Sequence, residues 1–164
     1  MIAKTSHTAL FTVWCIALIG ILPIAAAALE SRVDHVVLNW PIYWKWFIFW
    51  GVGIRLFFKG VKLASTPRFT GLSLSSFSNR ESYLVLMELG FANMALGAMG
   101  ILSLINDQWR FIAAIAGAIY FGLADMLRLA KKPVGRHELV ALIYNLLVFV
   151  GLVCYLISSP CTIA

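Results

Sequence analysis

Five stretches of roughly twenty mostly apolar residues divide this chain, and that is the length an α-helix needs to cross about 30 Å of hydrocarbon. They run from Thr8 to Leu29, from about Trp40 to Gly60, from Tyr83 to Ile105, from about Arg110 to Ala130, and from near His137 to near Ile157. In a chain of 164 residues this leaves short connections and no room for a soluble domain. A composition that is 62% hydrophobic and 12% charged, with mean hydropathy +0.90, lies outside the range of soluble globular domains. Open sheet edges cannot face lipid, and no alternating segments of the barrel type are present. The expectation is an all-α fold: one transmembrane domain over residues 1–164, an integral membrane bundle of about five helices whose first solvent is the lipid bilayer.

The first run also resembles a secretory signal, because Lys4 precedes it and the small residues Ala25 to Ala28 close it. It is about 20 residues long, however, where a signal core has 7–15. An uncleaved first helix is the preferred reading; cleavage would leave four helices.

Basic residues fix the orientation, since Lys and Arg in short loops are retained on the cytoplasmic side. With the N-terminus inside, ten of them (Lys4, Arg55, Lys59, Lys62, Arg68, Arg80, Arg128, Lys131, Lys132, Arg136) fall on the inner half and three (Arg32, Lys45, Arg110) on the outer. A multi-pass inner-membrane protein with its C-terminus outside is expected. The net charge of +6 then follows from topology and attraction to anionic headgroups, and no nucleic-acid partner is implied.

Trp40, Trp44, Trp46 and Trp50 lie at the outer end of the second run, where amphipathic rings favour the headgroup region. They read as interface anchors, with an aromatic-lined ligand site as the alternative. Residues 64–79, polar with spaced Phe69, Leu72, Leu74 and Phe77, read as an element lying along the inner surface or docking a partner there.

Ionisable residues inside the apolar runs carry the functional argument, because a charge at the bilayer centre costs ~2.5–3.5 kcal/mol on insertion scales. Glu88 and Asp125 stand 19 residues before and 18 residues after Asp107. Across a short turn this places them at one depth on antiparallel helices, with Arg55 at about the same level. Arg128, Asn93 and Asn145 complete the expected buried polar layer. Two carboxylates at one depth are either neutralised by Arg55 and Arg128, or one of them keeps a proton through a raised pKa. Structural pairing is the preferred reading and a proton relay the alternative.

Small residues predict how these helices pack. Ala114, Ala118 and Gly122 form a ridge ending at Asp125, while Gly90, Gly97 and Gly100 mark one face of the third helix beside a second face formed by Glu88, Ala92 and Ala95. Neighbouring helices are expected on both faces.

The run Glu88-Leu89-Gly90-Phe91-Ala92, followed by Gly97 and by an Ala/Gly-rich helix containing Gly122 and Ala124, resembles a family of small bacterial multi-pass membrane proteins known only as a domain of unknown function. The resemblance extends over about Trp40 to Tyr155 and implies no activity. Members tend to end the following helix in Gly-Gly-His, where this chain has Asp125-Met126-Leu127-Arg128, so any role of that histidine is absent. The segment from Gly53 to Leu63 is similar to the first helix of DoxX-like membrane proteins, a likeness that implies a membrane subunit of a redox assembly.

Catalysis and bound cofactors have no support in the residues. His7, His35 and His137 fall outside the apolar cores, so no metal or haem site is expected. Cys15, Cys154 and Cys161 read as free thiols, and no phosphate-binding loop, zinc motif or nucleophile motif is present. The preferred functional expectation is a non-catalytic subunit or scaffold of a membrane assembly, in contact with other membrane subunits or with itself. The alternatives are a small proton-coupled transporter using Glu88 and Asp125, and a redox-associated subunit of the DoxX-like kind.

Overall fold

The computed structural model of the chain describes Val13 and residues 17–35, 37–65, 80–131 and 136–159. The beginning of the first apolar run, the loop of residues 66–79, Cys15 and Cys161 lie outside the described residues, as do the side chains of Arg136 and His137. The described residues are all-helical. Helix α1 (17–33) opens with a π turn, Ala17–Ile21, and continues as Leu22–Val33; α2 (40–65) comprises Trp40–Ile48, a π segment Phe49–Ile54, and Arg55–Ser65. Helices α3 (Arg80–Leu102), α4 (Asp107–Lys131) and α5 (Arg136–Ser158) complete the chain order. Three segments, Tyr83–Leu102, Asp107–Lys131 and Glu138–Ser158, are long and apolar enough to cross a membrane.

Local chemistry sets the helix ends. His35 takes a left-handed φ of 53° just after the Asp34 N–H has closed on Glu30 O at 2.9 Å, and a left-handed residue at this place stops a helix. Asn39 then caps α2 by accepting from the Ile42 N–H at 3.1 Å, with Pro41 in the first turn, where a missing N–H does no harm. Helix α3 ends at Leu102 rather than Ile105. The Leu104 and Ile105 N–H groups bond to Ile101 O and Leu102 O, a tightened turn that releases the chain. Asn106 Oδ1 then accepts from the Gln108 N–H at 2.9 Å and starts α4.

Helix α2 is the axis of the bundle. Its residues Phe47, Ile48, Val52 and Leu56 meet Ala113, Ala114, Ala118 and Phe121 of α4 and Val148, Leu152 and Tyr155 of α5 in one core cluster. Its other side meets α3 backbone to backbone. A β-carbon on Gly100 would lie 2.5 Å from Gly53 Cα, one on Gly60 would lie 2.5 Å from Gly90 O, and one on Gly90 would lie 2.8 Å from Ala64 N. Only glycine fits there. Helix α2 runs on through Gly60 to Ser65, so that glycine is a packing surface, not a terminator. Outward-facing Val85, Ile119, Leu123 and Leu147 are each more than half exposed, as lipid-facing side chains are.

Candidate functional site

Asp125 is delivered by the buried stripe of α4. Arg110, Ala113, Ala114, Gly117, Ala118, Phe121 and Asp125 line it at helical three- and four-residue steps, so small residues bring α4 close to its neighbours and the acid arrives inside, 4% exposed. Gly122 sits beside this stripe, under the Phe149 ring of α5.

Three helices converge on that carboxylate. Asn145 of α5, 2% exposed, donates from Nδ2 to Asp125 Oδ1 at 3.1 Å. Its Oδ1 accepts from Arg55 Nη2 of α2. A guanidinium has only donors and a carboxylate only acceptors, so the amide is oriented by its two partners and links a cation to an anion. The Arg55 guanidinium stacks 3.8 Å from the Tyr144 ring centroid and 4.8 Å from that of Phe121, contacts that favour a desolvated cation. Arg128 Nη1 reaches Asp125 Oδ1 at 3.2 Å from the rim of the bundle, with 34% of its side chain exposed. Next along α2, Lys59 Nζ donates to Tyr120 Oη at 2.8 Å and lies 5.2 Å from that ring. The layer thus holds three cations, Arg55, Lys59 and Arg128, around one buried carboxylate, whose Oδ2 has no hydrogen-bond partner among the described residues.

Glu88 is not part of it. Its side chain is exposed on the outer surface of α3, and it sits nine residues beyond Gly97, roughly 14 Å along the helix. Gly97 packs on Phe57 and Gly100 on Gly53, whereas Gly90 packs on Ala64, so Glu88 is level with the C-terminal end of α2 and not with Arg55. Counting from Asp107 failed because the helices are not level at the turn. The expected carboxylate pair is absent. The face of Glu88, Ala92 and Ala95, expected to meet a neighbouring helix, is exposed; the opposite face, with Gly90, Gly97 and Gly100, is the one covered by α2. Asn93, 0% exposed, lies between those glycines, and neither of its amide atoms has a hydrogen-bond partner among the described residues.

A second polar group forms at the other end of the bundle. Glu30 of α1 accepts from Lys45 Nζ and Trp46 Nε1 of α2. Partial burial, the largest influence, pushes the Glu30 carboxyl up, but the two hydrogen bonds and the charges of Lys45 and Arg110 together hold it below the usual range. The four tryptophans therefore differ: Trp40 is 73% exposed, Trp44 packs against Tyr155 at 5.8 Å between ring centroids, Trp46 is tied to Glu30, and Trp50 is half-buried. The sequence reading missed Tyr144 and Phe121 as the seat of Arg55, and Glu30 as a partner for α2. It also missed Gly53 and Gly60, whose seven-residue spacing is the signal that reveals a packing face.

Among the described residues no group of three His, Cys, Asp or Glu side chains could hold a metal ion. No family model, curated protein or solved structure matches the chain, so the resemblances drawn from the Glu88 motif and from Gly53–Leu63 gain no support from these comparisons.

Proposed function

We propose that the protein is a non-catalytic subunit of an inner-membrane assembly, with five membrane-crossing helices, its N-terminus inside, and the outer face of α3 against a helix of another chain. The observation that carries this reading is Glu88, which points outward within the candidate span Tyr83–Leu102. A carboxylate facing lipid a turn and a half inside a span is unfavourable, by up to the ~2.5–3.5 kcal/mol found at the centre. A partner helix carrying a cation or a hydrogen-bond donor at that depth relieves it. The neighbouring exposed positions Ala92 and Ala95 are small enough to let such a helix approach closely.

Charge favours a different chain over a second copy. Two-fold packing of this face on itself would bring two Glu88 carboxylates together in a low-dielectric setting. The Arg55–Asn145–Asp125 layer is, in this reading, the polar lock that holds α2, α4 and α5 in register. A carrier built on Glu88 and Asp125 loses its basis when the two acids lie in different environments. The five-span reading draws on α2, a continuous rod about 39 Å long, and on α1 together with the apolar residues that precede it.

Purification in mild detergent followed by mass spectrometry of co-purifying chains tests the proposal. A stable heteromer that Glu88→Leu dissolves, with the isolated chain still folded, is the expected result. A homo-oligomer or a lone chain insensitive to that change would overturn it.

A further inference from the structure

Where α2 and α4 begin and α5 ends, a cavity of about 470 Å³ opens between Trp40, Trp44, Arg110, Tyr155 and Ser159, a volume in the range of small-molecule sites. Arg110 is its one charged lining residue among the described residues. It is 9% exposed, and its Nε is buried without a hydrogen-bond partner among the described residues. Nη2 bonds to Asp107 Oδ1 at 2.7 Å, but the Asp107 side chain is 87% exposed, so water screens that pair and it neutralises little of the cation. Glu30 feels the Arg110 charge while its oxygens are already engaged by Lys45 and Trp46. Arg110 also stands in the first turns of α4, the positive end of that helix.

We infer that this cavity holds the phosphate group of an anionic phospholipid, with Arg110 as the anion-binding residue and the Trp44 and Tyr155 rings as the wall for the lipid backbone. The inference goes beyond the subunit reading and needs only that α4 and α5 lie in a bilayer. A guanidinium suits phosphate oxygens through its fixed fork of donors. The site lies at the helix ends, the level at which the headgroups of a bilayer sit. The Trp40, Trp44 and Tyr155 rings in the wall favour a lipid over free inorganic phosphate, which would leave them without a partner.

Cys154 lines the same cavity and is exposed, which makes it a reporter. In a Cys15→Ser, Cys161→Ser chain, its rate of reaction with N-ethylmaleimide is compared in phosphatidylcholine vesicles, in the same vesicles with phosphatidylglycerol added, and in phosphatidylcholine with inorganic phosphate. Leu38→Cys, exposed at the same end but outside the cavity, serves as control in a chain lacking all three native cysteines. Phosphatidylglycerol should slow Cys154 about fivefold relative to the control, as filling four-fifths of the cavities would, and Arg110→Gln should remove the effect. Equal rates in the two lipids would overturn the proposal, whether or not the Arg110 variant folds. Equal slowing by inorganic phosphate would overturn the lipid as occupant, and slowing that survives in a folded Arg110→Gln chain would overturn the role of Arg110.

Discussion

Asn145 and Asp125 face each other across the α4–α5 contact at 3.1 Å, and the other end of the same amide takes the Arg55 guanidinium. Opposite charges need not touch to be reconciled: a fixed dipole between them satisfies both.

Replacing Asn145 by Leu should therefore destabilise the bundle more than any single change at its rim. It removes the amide that links Arg55 to Asp125, and breaking a buried charge arrangement costs ~3–5 kcal/mol in soluble proteins. Arg128→Gln should cost less than about 1 kcal/mol, because that cation is one-third exposed. Thermal unfolding of the purified variants in detergent checks the order, and equal melting temperatures would refute it.

Glu88→Gln should leave the stability of the isolated chain unchanged, since the side chain is exposed, whereas Arg55→Leu should lower it by several kcal/mol. The same unfolding measurement decides: a large loss with Glu88→Gln would place the acid inside the bundle after all.

Gly100→Ala should weaken the α2–α3 contact by about 1–3 kcal/mol from overpacking, against a gain of about 1 kcal/mol in helix propensity. Its new β-carbon would meet Gly53 Cα at 2.5 Å, backbone that cannot turn aside, while Gly51→Ala meets only Val148 Cγ1 at 3.7 Å and should be neutral or stabilising. A Gly100→Ala protein as stable as Gly51→Ala would disprove the backbone contact.

The Glu30 carboxyl is held below its ordinary range by Lys45 and Trp46. A depressed folded-state pKa means the unfolded chain takes up the proton first, so the stabilisation is fully present above about pH 5 and is lost as pH falls through the lowered value. Glu30→Gln should flatten that acid limb and cost about 1–2 kcal/mol at neutral pH through the lost charge-assisted bonds. Unfolding followed between about pH 3 and pH 7, across the carboxylate range, reads both; an unaltered acid limb would count against the pairing.

The basic-residue asymmetry predicts the topology. A reporter fused after Ala164 should be translocated and one inserted at Ser75 should remain cytoplasmic; a cytoplasmic C-terminus would invert the orientation or remove a span.

Sequence alone determined the helical class and the neighbourhood of each long helix, because apolar runs of spanning length and Asn39-Trp40-Pro41 or Asn106-Asp107 breaks act locally, through desolvation and capping. It also singled out Asp125, Arg55 and Asn145 as expensive residues, since the cost of a buried charge does not depend on which helix lies next to it. What it could not assign was register and facing. Glu88 and Asp125 have nearly the same count from the turn, yet one is outside and the other inside. That difference is decided by Gly53, Gly60, Gly90, Gly97 and Gly100, which draw α2 onto one face of α3, set how far the helices slide past each other, and turn the opposite face outward. A side-chain period fixes which residues share a face, but only the close backbone approach of a neighbour decides which face is buried.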